Sequence, residues 1–439
     1  MQVSVSSNGP LERRLTIQIP EDRISDAVQS RLKNISRTAR LDGFRPGKAP
    51  FRLIEKRFAG QVREEVVGEE LRRSFAEAVN QEKLRPAGQP VIEPVTSEPG
   101  QGLSYTATFE VYPEISLAPV SGLAVQRPAC VIGDADLEKM IDTLRKQRRI
   151  WKIVERAAAK GDRVDIDFKG TVDGHDFTGG SAEGFEVEVG AGRFIAGFEE
   201  GLLGKTAGMH GLDVQFPADY HRKELAGKQA HFEVKINSVA EPMLPELDAE
   251  FFKGFGVGAG GFEAFRAEVR RNMERERDQA VRNLTKQRVL DALMQANTVE
   301  LPKVLVETEA HRMLHEARHN LERQGVPRDR LAGMSDAVFH EQASRRVALG
   351  LIMGDIIARN SLKVDPARVR ATVDTIAAAY DEPSAVVKWY FEDRQRLADI
   401  EMSALEDQAI DWVLERAQVT EQSTPFDDLM NTGQTSKQG

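Results

Sequence analysis

Cysteine is nearly absent from this sequence, which has a single one, Cys130, in 439 residues. A lone cysteine excludes an intramolecular disulfide framework and any zinc or iron–sulfur site built from several thiolates. Long apolar runs are also absent, since the most apolar stretch, residues 347–357, contains Asp355 and is far shorter than the ~20 residues of a membrane span. The amino terminus lacks the basic start and apolar core of a secretory signal. We therefore expect a cytoplasmic protein without a membrane partner.

Aromatic residues are scarce at 6%, whereas charged residues reach 29%. This balance favours long solvated helices over one aromatic-rich core. Hydrophobic residues still make up 41%, which excludes a wholly disordered chain, and the length corresponds to about three domains. The sequence contains no P-loop and no nucleophile elbow. We therefore expect a multidomain protein that uses no nucleotide, metal or other cofactor.

The two signs of charge are unevenly distributed along the chain. The net charge is −9, yet residues 1–112 hold 17 Lys or Arg and 15 Asp or Glu, and residues 31–57 hold nine basic residues and two acidic ones. Such a patch favours a polyanionic partner, although a solvated helix face is the simpler explanation on charge alone. A general nucleic-acid-binding protein is disfavoured, because the whole chain is acidic and the centre of the patch holds one aromatic residue, Phe44.

The first 112 residues combine strand and helix patterns. Residues 3–19 alternate apolar and polar side chains around Asn8-Gly9-Pro10, which predicts a β-hairpin. Apolar residues at helical spacing follow over 24–35, and a second helical stretch runs from about residue 50 to 83. The segment LSYTATFEV at 103–111 alternates again and predicts a strand that joins the hairpin. We therefore expect a small α+β domain over residues 1–112.

The pattern then changes several times. Residues 113–149 begin extended and turn helical near Asp134, which predicts a connector that packs with the carboxyl-terminal domain. Fourteen glycines between 161 and 227, with short alternating runs, predict a β-barrel with one short helix over 150–245. Residues 246–420 show helical periodicity, with helix starts near Pro302, Pro366 and Pro383. The polar residues 421–439 predict a disordered tail.

A loop framed by Gly and Pro lies between the two helices predicted in the first domain, and this framing lowers the ordering cost of binding. It matches the pattern G-F-R-x-G-x-x-P, and the segments MQVSV, PAGQP, FEVYPE and RAEVRRNMERE extend the likeness over nearly the whole chain. On these motifs the sequence resembles the trigger factor family of ribosome-associated bacterial chaperones. The loop residues concerned are Gly43, Phe44, Arg45, Pro46, Gly47, Lys48 and Pro50.

The resemblance implies that this loop docks on the large ribosomal subunit near the exit tunnel, against ribosomal protein and ribosomal RNA, with Phe44 and Arg45 at the contact. It implies an ATP-independent chaperone whose all-α carboxyl-terminal domain has arms that hold nascent and unfolded polypeptides, and a homodimer away from the ribosome. Pro46 stands where the family often has Lys, which predicts a less charged but stiffer loop. The fold class expected is multidomain α+β, with an N-terminal α+β ribosome-binding domain and an FKBP-like β-barrel.

The predicted barrel resembles the FK506-binding-protein class of peptidyl-prolyl cis-trans isomerases through VDIDFKGTVDGHDF, FIAGFEEGLLG and HFEVKINSV. Isomerisation needs no acid or base, because an apolar pocket that accommodates a twisted imide lowers the ~18–20 kcal/mol amide barrier. Thr178 replaces the usual acidic residue and a Phe replaces the Trp that often floors such pockets, so a holdase with a weak or inactive barrel is the alternative. The pocket residues implied are Phe168, Phe177, Phe185, Phe194, Ile195, Phe198, Tyr220 and Phe232.

Two short motifs allow other interpretations. His315, Glu316 and His319 match H-E-x-x-H on a predicted helix, and this spacing can place two imidazoles on one zinc ion. Neighbouring Arg312 and Arg318 oppose a dication, so a solvated charged helix is the preferred interpretation. Residues 256–261 fit G-x-G-x-x-G, but no βαβ pattern surrounds them, which favours a hinge over a dinucleotide site.

Overall fold

The structure is a computed structural model of the chain. It describes residues 1–435 except 40, 42, 43, 45–47, 97, 99 and 221. The chain divides into two compact units, residues 1–128 with 283–422 and residues 129–282 with 423–439. In the part that the structure describes, no helix is long and apolar enough to cross a membrane.

Helices outnumber strands in the second half of the chain, as the helical periodicity of residues 246–420 predicts. The strands are β1 Gln2–Ser7, β2 Glu12–Ile19, β3 Val91–Thr96, β4 Leu103–Glu110, β5 Ala124–Ala129, β6 Ile150–Val154, β7 Arg163–Val172, β8 His175–Glu188, β9 Gly208–Gln215, β10 Gln229–Met243 and β11 Gln418–Ser423. The helices are α1 Glu21–Thr38, α2 Phe51–Gln81, α3 Asp134–Gln147, α4 Phe198–Leu202, α5 Ala249–Lys253, α6 Gly261–Ala296, α7 Lys303–Arg323, α8 Arg328–Leu331, α9 His340–Arg359, α10 Pro366–Ala377, α11 Pro383–Phe391, α12 Arg394–Leu414 and α13 Phe426–Thr435.

The first unit opens with a four-stranded antiparallel sheet in the order β1-β2-β4-β3. The predicted hairpin and the strand that joins it are both confirmed, with Leu15 opposite Ala107 and Ile17 opposite Tyr105. Every second residue of β4 is buried, so one face of the sheet lies in the core. Helices α1 and α2 cover that face with buried Ile24, among others. The apolar residues that alternate along these strands therefore form the buried face of the sheet, as the sequence predicts.

Glu21, the first residue of α1, ties three segments of this domain together. Its carboxylate accepts two hydrogen bonds from the Arg63 guanidinium on α2, at 2.8 and 2.9 Å, and one from the Gly102 N–H at 3.1 Å. The Ser25 hydroxyl donates a further bond of 2.9 Å. The Arg63 hydrogen bond is the largest cause that lowers the pKa of Glu21 from 4.5 to about 2, against a smaller opposing effect of burial.

Replacing Glu21 by Gln is expected to lower the free energy of unfolding of this domain by about 2 kcal/mol at pH 7. The full pKa shift corresponds to about 3 kcal/mol, and partial exposure of the pair reduces it. Because the folded-state pKa is depressed, the contribution is complete above pH 4.5 and is lost as the pH falls towards 2. Urea unfolding of the whole chain at several pH values, followed on the amide NMR signals of β4, measures this. Glu64→Gln, at the exposed neighbour of Arg63, is the control; equal acid sensitivity of both variants would contradict the role of Glu21.

The helical part of the first unit has its own core. Leu123 and Val125 of the predicted connector are buried against α6, α9 and α12, at Val289, Ile352 and Ile410 among others. Helices α10 and α11 begin at Pro366 and Pro383, which confirms those two predicted starts, and α7 begins one residue after Pro302. Prolines suit a first helical turn, whose N–H groups lack partners within the helix.

The second unit contains a five-stranded sheet in the order β6-β10-β7-β8, with β9 also paired to β10. One edge of β10 pairs with β7, while the other pairs first with β9 and then with β6. Among the described residues no pairing joins β8 to β9 or β6, so the sheet stays open and the expected closed barrel is wrong. Helix α4 instead packs Phe198 and Leu202 into the apolar core of the sheet, which covers it without a further strand pair.

The tail expected to be disordered over residues 421–439 is ordered as far as residue 435. Strand β11 pairs with β5, and α13 follows it. Phe426 and Leu429 are buried at spacing i, i+3, which gives this short polar segment an apolar stripe that pays the cost of ordering. The disorder prediction is therefore wrong here, and residues 436–439 lie outside the described residues.

Candidate active site in an aromatic cavity

The second unit contains a cavity of about 550 Å³ with mostly aromatic walls. Strands β7, β8 and β10, helix α4 and the loops beside β9 and α4 each contribute a side chain. Period two directs the strand residues to one face of the sheet. Seven of the eight residues predicted from the sequence line the cavity, namely Phe168, Phe177, Phe194, Ile195, Phe198, Tyr220 and Phe232.

Phe198 lies at the centre of the ring contacts. Its ring centroid is 5.1 Å from that of Phe232, edge to face, and 5.9 Å from that of Phe168. It also stacks on Phe194 at 5.2 Å with an interplanar angle of 17°. Phe198 and Phe232 are 1% and 5% exposed, so the rings are fixed by packing and form a preformed apolar wall.

Phe185 does not line this cavity. It is 42% exposed and contacts the Phe168 and Phe194 rings edge-on, at 6.1 and 5.6 Å. Strand β8 pairs irregularly with β7 near Phe168, and this register shift changes which β8 residues share a face.

Several cavity residues were not predicted from the sequence. Phe216 contacts Tyr220 at 4.8 Å and Phe177 at 5.8 Å between ring centroids. The sequence could have predicted Phe216, because Leu212, Val214 and Phe216 alternate with other residues along and just past β9. Of the other four, Gly179 lies in β8 where its pairing with β7 shifts register, and three lie in loops that carry no such period: Arg193, Ala196 and Pro217.

Glu199 holds the loop that supplies Phe194 and Ile195. The carboxylate is 3% exposed and accepts hydrogen bonds from the N–H groups of Gly192, Arg193 and Phe194 at 2.9, 2.8 and 3.0 Å. Burial alone would raise the pKa of Glu199, but these backbone N–H groups outweigh it and the pKa is lowered. The ionised carboxylate therefore fixes the backbone that carries one side of the cavity.

Thr178, at the position of the acidic residue expected from the resemblance, contributes its backbone. The Arg222 guanidinium donates a hydrogen bond to the Thr178 carbonyl oxygen and also pairs with Glu224. This contact connects β8 to the segment after Tyr220, so the two cavity edges are joined without a carboxylate at position 178.

The cavity lining contains no carboxylate and no imidazole among the residues described. Its polar side chains are Arg193 and Tyr220. Such a lining can bind a compact apolar ring and shield a neighbouring bond from water.

The predicted docking loop is only partly described. Gly43, Arg45, Pro46 and Gly47 lie outside the described residues. Phe44 is 41% exposed, and its N–H donates to the Leu41 carbonyl oxygen at 3.0 Å. Lys48 is exposed, and Pro50 immediately precedes α2, where the N–H of Leu53 bonds its carbonyl oxygen at 2.9 Å.

The H-E-x-x-H segment lies on α7, where its Glu316 and the preceding His311 pair with neighbours. Glu316 forms an ion pair with Arg312 one turn earlier, and His311 contacts Asp336 at 2.7 Å. Across the described parts of the chain, no three His, Cys, Asp or Glu side chains are grouped to hold a metal ion. The Glu316–Arg312 ion pair, one turn apart, is typical of a charged helix surface.

Comparison with known proteins matches three segments of the chain. Residues 1–144 match the family described as bacterial trigger factor protein, residues 261–415 match its C-terminus, and residues 154–237 match FKBP-type peptidyl-prolyl cis-trans isomerase. The third match contains every residue that lines the aromatic cavity.

Relatives named trigger factor match along nearly the full length. Those of Thioalkalivibrio sulfidiphilus and Tolumonas auensis are each 45% identical over 432 and 433 residues, covering 98% of this chain and 98% and 99% of theirs. A solved structure titled "Promiscuous Substrate Recognition in Folding and Assembly Activities of the Trigger Factor Chaperone" covers 94% of this chain and 99% of its own, at 15% identity and a TM-score of 0.49. The sequence matches suffice to conclude that this chain belongs to the trigger factor family of chaperones and carries an FKBP-type domain.

Proposed function

We propose that this chaperone catalyses cis-trans isomerisation of X-Pro peptide bonds in the aromatic cavity. The observation that carries the proposal is the convergence of seven apolar or aromatic side chains from strands, loops and α4 on one cavity. A proline ring is compact and largely apolar, so it suits a wall of fixed aromatic rings.

The mechanism follows from the electronic structure of the amide. The planar ground state has charge separation that water stabilises, whereas the twisted transition state has lost this resonance. A site walled by Phe198, Phe232 and Phe168 excludes water and favours the less polar twisted form. The chain's role is to bind proline and keep the bond dry while it rotates.

Exchange NMR on a capped, uncharged peptide with one Phe-Pro bond tests this activity without a coupled protease. The uncatalysed reaction takes tens to hundreds of seconds at 25 °C, so a catalytic amount of the whole chain should shorten it clearly. Absence of acceleration by folded protein would reject the isomerase and leave a holdase with an inactive domain, the alternative that Thr178 suggested.

We also propose that the loop 43–50 docks the protein on the ribosome beside the exit tunnel. The exposed Phe44 and Lys48, and the excess of basic residues over 31–57, support this. Cations attract RNA phosphates without sequence preference and in a salt-dependent way, while an exposed aromatic ring supplies a contact that salt does not screen.

Exposed apolar side chains of the helical region support binding of unfolded polypeptides. Trp389 and Phe391 on α11 are 50% and 45% exposed, and Met402 on α12 is 67% exposed. In contrast, Ile352 and Met353 of α9 are buried in the core. Aromatic and Met side chains adapt to different partners, which suits a chaperone that meets many sequences.

A further inference from the structure

A second cavity of about 410 Å³ adjoins the aromatic cavity. Phe194 and Arg193 line both. The Phe194 ring stacks on Phe198 in the first cavity and meets Phe185 edge-on, at 5.6 Å and 88°, in the second. A polypeptide whose proline lies in the first cavity therefore needs only to pass Phe194 to reach the second.

The second cavity is charged, unlike the first. It is lined by three arginines and two glutamates, and two of the arginines are paired: Arg149 with Glu188, and Arg163 with Glu186 at 2.8 Å. The same two guanidinium groups lie over the Trp151 ring, at 4.7 and 4.9 Å from its centroid. Their charges are thus compensated and their positions fixed by a rigid aromatic surface.

Arg193 is the remaining cation. Its backbone N–H is fixed by Glu199 at 2.8 Å. Its side chain is exposed, and no hydrogen bond, ion pair or ring contact engages the guanidinium among the residues that the structure describes. An unpaired guanidinium at the junction of two cavities presents five N–H donors in a geometry that matches a carboxylate.

We infer that the second cavity is a subsite for an acidic side chain of the substrate, Asp or Glu, close in sequence to the isomerised X-Pro bond, with Arg193 as the specificity-determining residue. The inference rests on the proposed isomerase function. An extended peptide advances ~3.3–3.6 Å per residue, so positions within about two residues of the X-Pro bond are the candidates.

The preference must come from the local cation. Residues 150–245 hold 11 Lys or Arg and 16 Asp or Glu, so the overall field of this segment repels acidic peptides. A general electrostatic effect would therefore favour Lys in the substrate, and a local contact with Arg193 would favour Glu. The two explanations therefore predict opposite effects of replacing Glu by Lys in the substrate.

The test uses capped peptides with one Phe-Pro bond in which Glu, Gln or Lys is placed in turn at each of the two positions on either side of that bond. Exchange NMR gives kcat/KM for each peptide with the whole chain, with Arg193→Gln and with Lys152→Gln. Lys152 is exposed on β6, lines neither cavity, and is the matched loss of one positive charge. At one position, Glu should raise kcat/KM over Gln by about two- to fivefold, which is the usual range for a partly exposed ion pair.

This Glu-to-Gln ratio should fall to about one in Arg193→Gln, persist in Lys152→Gln, and shrink at high salt. Equal kcat/KM for all peptides, a preference for Lys, or a Glu preference that survives Arg193→Gln would each overturn the subsite while leaving the isomerase in place. A folded chain that accelerates no peptide would instead reject the proposed function, and the subsite with it.

Discussion

Replacing Glu199 by Gln is expected to lower kcat/KM for X-Pro isomerisation by about 10- to 100-fold, because it releases the loop that positions Phe194 and Ile195. The carboxylate accepts bonds from several backbone N–H groups in a site where it is 3% exposed. A Gln side chain has one acceptor oxygen, and its NH₂ group faces donors that it cannot satisfy. Unsatisfied buried donors cost about 1–3 kcal/mol each, so the unit should also lose stability.

Glu200→Gln is the matched control for this prediction. Glu200 is the next residue of α4, is exposed, and accepts one bond from the Gly197 N–H at 2.7 Å, which an amide oxygen can also accept. Its kcat/KM should stay within about twofold of the wild-type value, since surface changes have small effects. If Glu199→Gln retained the wild-type rate while folded, the loop would not depend on this carboxylate.

Because ionisation of Glu199 is coupled to folding, the free energy of unfolding of this unit should depend on pH. The pKa of Glu199 is depressed in the folded chain, so its stabilising effect is complete above its ordinary value of 4.5 and is lost as the pH falls below that value.

Replacing Gly170 by Ala is expected to abolish most isomerase activity by a steric route. A Cβ at Gly170 would lie 2.4, 2.7 and 2.9 Å from three carbons of the Phe232 ring, far inside van der Waals contact. Phe232 is buried against Phe168 and Phe198, so its ring must shift at the cavity wall. We expect a loss of about 1–3 kcal/mol in unfolding free energy, typical of an overpacked core, and a drop of about tenfold or more in kcat/KM.

Two further variants separate the steric cause from general damage. Gly258→Ala adds a Cβ that meets nothing within 4 Å, and its stability and activity should match the wild type. Phe232→Leu combined with Gly170→Ala provides room, so the pair should be more stable than the sum of the single effects predicts. Strict additivity, or normal activity of Gly170→Ala, would show that the Phe232 ring is not held at the cavity wall.

The sequence predicted those features that depend on short-range periodicity. Alternation along β2 and β4 identified the amino-terminal sheet, and the resemblance of the strand motifs to known isomerases identified Phe168, Phe177 and Phe232. The three side chains line one cavity because side-chain direction in a strand is fixed by position along it.

The features that the sequence did not predict depend on tertiary contacts. Arg193 and Pro217 reach the cavity through loops that carry no alternation, and the loop with Arg193 is set by backbone hydrogen bonds to the Glu199 carboxylate. Phe185 pairs with Ile166 just before the register shift in β8 and lies outside the lining of the aromatic cavity. Helix α13 is ordered by burial of only two apolar residues, a signal too short to distinguish from a polar tail.

Sedimentation with salt-washed ribosomes tests the proposed site of action most directly. The proteins compared are the wild type, the double variant Phe44→Ala/Arg45→Ala, and the matched control Phe391→Ala/Arg370→Ala, which removes an exposed Phe and the Arg that lies 5.6 Å from its ring. We predict that the wild type and the control pellet with ribosomes, less at higher salt, and that the Phe44/Arg45 variant remains in the supernatant. Equal pelleting of all three proteins would contradict docking through the 43–50 loop.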